Sequence, residues 1–123
     1  MSVLIPTESQ EQIAFVQWFR RKYRPVRMFH IPNGGARSKR TAAKLKSEGV
    51  LRGVPDLFIP EWNLWIEMKR TKGGRLSPEQ RDWKRYLEDI GNTVFVAMGC
   101  EHAMELVDKF VIDMENEQAN LST

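Results

Sequence analysis

The chain has little of what several common kinds of site require. It contains one cysteine, Cys100, and two histidines, His30 and His102. These low counts exclude an internal disulfide, a zinc site built from cysteine thiolates and a histidine-rich metal site. There is no apolar run long enough to cross a bilayer, and the first residues lack the pattern of a signal peptide. We therefore expect a protein of a reducing cytoplasm with no membrane contact.

Charge is unevenly distributed along the chain, although the net charge is only +3. Residues 20–52 contain eleven Lys or Arg and one acid, whereas residues 101–123 contain six acids and one Lys. A basic block of this density indicates a polyanionic partner, with nucleic acid as the first expectation. The alternative is an ordinary solvated surface.

Hydrophobic spacing and turn residues predict the element order α-β-α-β-β-α-β-α. The helices are predicted over residues 7–22, 38–48, 77–90 and 101–110, and the strands over 26–31, 54–59, 65–69 and 93–98. The short connection between the second and third strands predicts an antiparallel hairpin. We expect an α/β fold, a mixed sheet flanked by helices. One domain would span residues 1–112, with a flexible acidic tail over 113–123.

Acidic and basic side chains are concentrated in the predicted hairpin. Asp56 lies in its first strand, and Glu67 and Lys69 lie two residues apart in its second. Side chains alternate faces along a strand, so Glu67 and Lys69 share a face and meet Asp56 if the strands are neighbours. Such a set can hold Mg²⁺ or Mn²⁺ beside a scissile phosphate. The alternative is a Glu–Lys surface pair with an unrelated Asp in a turn.

Two helices present further polar residues toward the interior. Gln80 lies three residues before Trp83, so it requires a hydrogen-bond partner, either in the site or at the capping Ser77. Glu11 shares a helix side with apolar residues and could add a metal-binding carboxylate. Glu8 is its rival, and either acid also suits the positive end of the helix dipole.

The basic block combines a glycine-containing turn with a basic helix. Glycines allow a backbone to approach a phosphate closely, and basic side chains hold phosphates without sequence choice. The candidate DNA contacts are Asn33, Gly34, Arg37, Lys39, Arg40 and Lys44. The alternative is an ordinary turn and a solvated helix. Trp62 and Trp65 could stack bases or pack in the core.

Four segments together resemble one family of nucleases. They are His30-Ile31-Pro32-Asn33-Gly34-Gly35, Gly53-Val54-Pro55-Asp56, Trp65-Ile66-Glu67-Met68-Lys69 and Leu76-Ser77-Pro78-Glu79-Gln80. The second and third resemble the PD-(D/E)xK nuclease signature. The whole set is similar to the VRR-NUC branch, the virus-type replication-repair nuclease domain, over roughly residues 8–110.

The resemblance implies a restriction-endonuclease-like core and a phosphodiesterase that depends on Mg²⁺ or Mn²⁺. The metal ligands that it implies are Glu11, Asp56, Glu67 and Met68, the last through its backbone carbonyl. The catalytic residues that it implies are Asp56, Glu67, Lys69 and, in support, Gln80. It also implies a homodimer, as in Holliday-junction resolvases, and a bacterial or viral source.

These patterns predict a small DNA endonuclease that cuts branched DNA, such as Holliday junctions, by in-line attack of water on a phosphodiester. One alternative is a non-catalytic nucleic-acid-binding module on the same fold. Another is a nuclease that acts on RNA or on duplex DNA with sequence choice. The basic block suits all of these, whereas Asp56 and Glu67 are required only by an enzyme.

Overall fold

The computed structural model describes residues 4–32 and 38–121, and this part of the chain contains four helices and four strands. The helices are α1 (Glu8–Lys22), α2 (Lys39–Ser47), α3 (Pro78–Asp89) and α4 (Cys100–Leu121). The strands are β1 (Phe29–His30), β2 (Leu57–Ile59), β3 (Leu64–Lys69) and β4 (Thr93–Met98). A short 3-10 turn, Pro60–Trp62, connects β2 to β3. The order along the chain is the predicted one.

The strands form one mixed sheet in the order β1-β2-β3-β4. β1 and β3 both run antiparallel to β2, whereas β4 is parallel to β3 and reached through the crossover helix α3. The hairpin turn ends at Asn63, whose φ of 48° is a left-handed conformation that asparagine tolerates. The predicted α/β fold, with a hairpin inside a mixed sheet, is confirmed.

The hydrophobic core lies on one face of this sheet. α1 and α4 pack against each other, α1 against β3 and α4 against β4. Alternation along β3 directs Leu64, Ile66 and Met68 to this face, where they are buried with Phe15 and Phe19 of α1. Burial of these aromatic and aliphatic side chains provides the main stabilisation of the fold.

The opposite face of β3 carries polar side chains. Glu67 and Lys69 alternate with the core residues of the strand, yet they are only 3% and 7% exposed. α3 packs against β4, and its Gln80 contacts both side chains. Acidic and basic groups are rarely buried to this extent unless they are paired, so this face is where a functional site is expected.

Three boundaries differ from those expected from the sequence. β2 begins at Leu57 instead of residue 54, so Asp56 directly precedes the strand and does not lie in it. Pro55 has no N–H to donate to a strand ladder, which accounts for the later start. β1 comprises only two residues, because Val26 and Met28 pack into the core from an irregular segment. α4 continues beyond residue 110, so residues 113–121, expected as a flexible tail, are helical. The Lys109–Asp113 ion pair at 3.1 Å and the Glu- and Gln-rich sequence favour this continuation. The domain boundary at residue 112 stays a prediction.

In the ranges 4–32 and 38–121, every helix is too short or too polar to cross a membrane.

Candidate active site

Asp56 is held beside β3 at the open end of the hairpin. Its Oδ2 accepts a hydrogen bond of 2.8 Å from the Met68 backbone N–H. The N–H and C=O of one residue in an antiparallel ladder point toward the same neighbour, so the Met68 carbonyl also lies on the Asp56 side. The Asp56 backbone oxygen accepts from the Ile31 N–H at 2.8 Å and lies 2.9 Å from Nδ1 of His30. β1 therefore braces the residue that carries the carboxylate.

Gln80 connects the buried acid and the buried base. Its Nε2 donates to Glu67 Oε1 at 3.0 Å, and its Oε1 accepts from Lys69 Nζ at 2.9 Å. The same Oε1 accepts from the Ser77 backbone N–H at 2.8 Å, which completes the capping box of α3. Lys69 Nζ lies 3.8 Å from Glu67 Oε1. Both roles considered for Gln80, the cap and the contact with Lys69, are thus combined in one side chain.

One buried oxygen of this cluster has no hydrogen-bond donor. Among the buried side-chain nitrogen and oxygen atoms of the described residues, only Glu67 Oε2 lacks a hydrogen-bond partner. Burial, followed by the negative charge of Asp56, raises the pKa of Glu67 to about 9, although Lys69 acts in the opposite direction. Glu67 therefore requires either a proton or a cation at neutral pH.

The oxygens around this position fit a small divalent cation. The carboxylates of Asp56 and Glu67 and the carbonyl of Met68 are hard donors, of the kind that Mg²⁺ and Mn²⁺ prefer. Within residues 4–32 and 38–121, no group of three His, Cys, Asp or Glu side chains is gathered to hold a metal. Mg²⁺ commonly binds one or two carboxylates together with substrate phosphate and water, so two carboxylates are sufficient.

Glu11 is engaged at a different place. Its Oε2 accepts from Thr71 Oγ1 at 2.9 Å and from the Cys100 backbone N–H at 3.2 Å. A Cβ on Gly99, whose φ is +98°, would lie 2.6 Å from Thr71 Oγ1 and against the Glu11 carboxylate, so only glycine fits there. Glu11 thereby caps the start of α4 and fixes the loop that follows Lys69.

Glu8 lies one turn before Glu11, at an exposed position of α1. The negative charge of Glu8 contributes to the raised pKa of Glu67. Of the two helix acids considered from the sequence, Glu8 thus contributes to the raised pKa of Glu67, after the larger effects of burial and Asp56.

Gly53 allows the segment before Asp56 to press against the start of α3. Its φ is +90°, and a Cβ at this position would lie 2.6 Å from the backbone carbonyl carbon of Glu79. A side chain fits neither the conformation nor the space. This close approach joins the Asp56 segment to the helix that carries Gln80, which explains why Gly53 precedes the acidic residue at this spacing.

Comparison with known proteins assigns the chain to a family. Residues 6–101 match the VRR-NUC domain. The chain belongs to the VRR-NUC family. Its structure is similar to a solved structure titled "VRR_NUC domain protein", with 26% sequence identity and a TM-score of 0.73 over 90% of this chain and 91% of that chain. No protein with a curated description matches it.

Membership of the VRR-NUC family implies a nuclease-type fold, suggests nuclease activity and implies DNA binding. Nucleases of this family typically use divalent metals. The sheet face with Asp56, Glu67, Lys69 and Gln80 is where this VRR-NUC domain gathers groups suited to that chemistry.

The predicted DNA contacts of the domain divide into two groups. Lys39, Arg40 and Lys44 are exposed on α2, a helix that buries none of its own residues. They remain free to bind phosphates, which is consistent with the role expected of them. The other three, Asn33, Gly34 and Arg37, lie outside the described residues, and their DNA contacts stay predictions.

The capping of α4 by Glu11 was not predicted, although the sequence contains a signal for it. α4 begins at Cys100, directly after Gly99, with no Ser, Thr, Asp or Asn at its start. Free N–H groups at a helix start require an acceptor. A helix without a local cap thus indicates that an acceptor comes from another element, but only the tertiary structure identifies it as Glu11.

Proposed function

We propose that this protein is an endodeoxyribonuclease that depends on Mg²⁺ or Mn²⁺ and hydrolyses phosphodiester bonds in branched DNA, such as Holliday junctions, as a homodimer. The observation that carries the proposal is the buried Glu67 Oε2, which has no donor and lies beside Asp56 in a VRR-NUC domain. A carboxylate with a purely structural role would be expected to have its donors. A ligand to a cation keeps such an oxygen free.

The chemistry follows from the placement of four residues. Asp56, Glu67 and the Met68 carbonyl would hold the cation, which when bound neutralises charge on the scissile phosphate. Lys69, fixed by its 2.9 Å hydrogen bond to Gln80, would stabilise the negative charge that develops on the phosphate or orient the attacking water. Gln80 would act as a positioning residue, because it holds both Lys69 and Glu67.

Glu8 is the better supported candidate for a further acid of the metal site. Glu11 Oε2 already accepts two hydrogen bonds, whereas the charge of Glu8 acts on Glu67. We expect Glu8→Gln to raise the Mn²⁺ concentration needed for half-maximal cleavage. Glu11→Gln should instead lower the thermal stability of the fold and leave the metal requirement unchanged. A folded Glu11→Gln variant with a raised metal requirement would return the ligand role to Glu11.

Branched DNA and a dimer fit the exposed basic helix α2 and the symmetry of a four-way junction. The exposed lysines and arginine of α2 suit contacts with the DNA backbone, which read shape and position rather than sequence. A four-way junction has two-fold symmetry, and a two-fold dimer presents two active sites to it.

The test compares cleavage of a labelled four-way junction, a matched duplex and an RNA of the same sequence, each with Mg²⁺, Mn²⁺ or EDTA. We expect metal-dependent cutting that is strongest on the junction and absent from Asp56→Ala. Stronger cutting of RNA or duplex would redirect the substrate assignment. Tight binding without cutting under any metal would reject the enzyme in favour of a binding module.

A further inference from the structure

Three aromatic rings form a continuous row across the first three strands of the sheet. Phe29 meets Phe58 edge to face, with ring centroids 5.8 Å apart, and Phe58 lies against Trp65 at 4.2 Å. Trp65 is held in place by the hydrogen bond from its Nε1 to Asn92 Oδ1 at 3.0 Å. Phe29, at the edge of the sheet, is 50% exposed. The row is therefore held by a hydrogen bond at its inner end and exposed to solvent at its outer end.

This row lies on the same face of the sheet as the candidate active site. Phe29 is the register partner of Phe58, and Phe58 is the partner of Trp65, so the three side chains project from one face. Trp65 and Glu67 are two residues apart on β3 and also share a face. Strand geometry places Trp65 roughly 7 Å from Glu67 along β3, and Phe29 roughly 10 Å from Trp65 across the sheet.

Positive charge lies at the sheet edge, next to the exposed end of the row. An open groove of about 630 Å³ beside Phe29 is lined by three arginines, Arg20, Arg24 and Arg27, together with Val26 and Met28. No carboxylate within residues 4–32 and 38–121 forms an ion pair with any of these guanidinium groups. Arginines that lack an internal partner are available for an external anion.

We propose that Phe29 and this arginine groove bind unpaired nucleotides of the DNA next to the scissile phosphate. A base would stack on the exposed ring of Phe29, while the arginines would contact the phosphates that follow it. A groove that combines an aromatic ring with positive charge suits single-stranded nucleic acid. The inference rests on the proposed nuclease function and deepens it, because it assigns a binding surface to the unpaired nucleotides that forks offer in addition to four-way junctions.

A second copy of the chain is the competing occupant of this surface. A two-fold interface brings the same patch of each copy together. Such an interface centred here would oppose the unpaired arginines of one copy to those of the other, at an electrostatic cost. Nucleic acid supplies the opposite charge, so the charge of the groove favours nucleic acid over self-association.

The test measures binding in EDTA, so that it does not depend on cleavage. Two substrates of equal sequence are compared: a blunt duplex, and a fork with one single-stranded arm that carries 2-aminopurine. We expect Phe29→Ala to raise the Kd for the fork about tenfold, the loss typical of one stacked base, and to leave the duplex Kd unchanged. The 2-aminopurine quenching on binding should also be lost. Phe29→Tyr should retain both, because it keeps the ring, and Ile90→Ala, which removes another exposed apolar side chain, should change neither.

The arginines are tested by the salt dependence of the same binding. Replacing Arg24 and Arg27 by Gln should lower the slope of log Kd against log salt concentration for the fork by about 0.7 for each phosphate that the variant no longer neutralises. The duplex slope should not change.

Several outcomes would overturn the inference. Equal weakening of fork and duplex by Phe29→Ala, or quenching that persists in this variant, would show that no base stacks on Phe29. Conversion of a dimer to a monomer by Phe29→Ala, with unchanged fork binding, would assign the surface to a second copy. Fork preference in a protein that cleaves no DNA with Mg²⁺ or Mn²⁺ would reject the nuclease proposal alone. Cleavage of forks that is equal in wild type and Phe29→Ala would reject this inference alone.

Discussion

In the absence of metal, the Glu67→Gln substitution should stabilise the protein at neutral and alkaline pH. In the folded wild type, burial and the neighbouring Asp56 raise the pKa of Glu67 from 4.5 to about 9. A glutamine amide has nearly the shape of a protonated glutamate and carries no charge. Its oxygen can still accept the hydrogen bond from Gln80.

The direction of the effect follows from proton linkage. Above pH 4.5 the unfolded chain has released the Glu67 proton, whereas the folded protein retains it until about pH 9. The stability that this proton contributes is complete below pH 4.5 and declines as pH rises toward 9. One such group changes the free energy of unfolding by at most about 1.4 kcal/mol per pH unit. From about pH 6 to about pH 8 the wild type therefore loses at most about 3 kcal/mol, or about 10 °C in Tm for a domain of this size.

The assay is thermal unfolding in EDTA at a series of pH values and constant ionic strength. The Tm of Glu67→Gln minus that of the wild type should be near zero at acidic pH and grow steadily as pH rises. Glu61→Gln, which neutralises an exposed acid in the connection between β2 and β3, serves as the control and should follow the wild type. Parallel curves for wild type and Glu67→Gln would refute the reasoning. Saturating Mg²⁺ should stabilise the wild type and not Glu67→Gln, because the cation replaces the proton.

Two further predictions concern the base and the glycine of the site. Lys69→Ala should abolish cleavage without weakening DNA binding, because its ammonium is held inside the site by Gln80. Lys109→Ala, at an exposed position of α4, should leave turnover unchanged. Unchanged turnover in Lys69→Ala, measured on labelled junctions, would remove this residue from the mechanism. Gly53→Ala should lower the free energy of unfolding by about 2–4 kcal/mol, since it combines left-handed strain with overpacking. Gly49→Ala, the control, introduces only the backbone strain, because a Cβ there meets nothing within 4 Å. Denaturant unfolding should therefore show a smaller loss of stability for Gly49→Ala than for Gly53→Ala. Equal losses would disprove the steric contribution at Gly53.

Features that depend on neighbouring residues in the chain were predictable from the sequence. The capping boxes at Thr7 and Ser77 and the bounds of β4 follow from local hydrogen bonding and hydrophobic spacing. The alternation that places Glu67 and Lys69 on one face follows from the geometry of any strand. The hairpin follows from the short connection between two apolar segments, and its antiparallel pairing is confirmed.

Local rules were less informative at the ends of elements. The predicted end of the last helix was wrong because a charged, solvated segment has no hydrophobic periodicity, yet its residues favour a helix once the preceding turns exist. β1 was predicted too long because Val26 and Met28 have the composition of a strand, but they fill the core from an irregular backbone. Hydrophobic spacing alone therefore does not fix where these two elements begin and end.

The sequence by itself determined which residues carry charge near the hairpin and which strand face they occupy. The tertiary structure alone decided their partners: Gln80 joins Glu67 to Lys69, Glu11 caps α4, and the charge of Glu8 contributes to the raised pKa of Glu67. The physical reason is the distance along the chain over which each effect acts. Capping and alternation act over a few residues, whereas desolvation and the distances between charges depend on how separate elements pack, and these two quantities raise the pKa of Glu67.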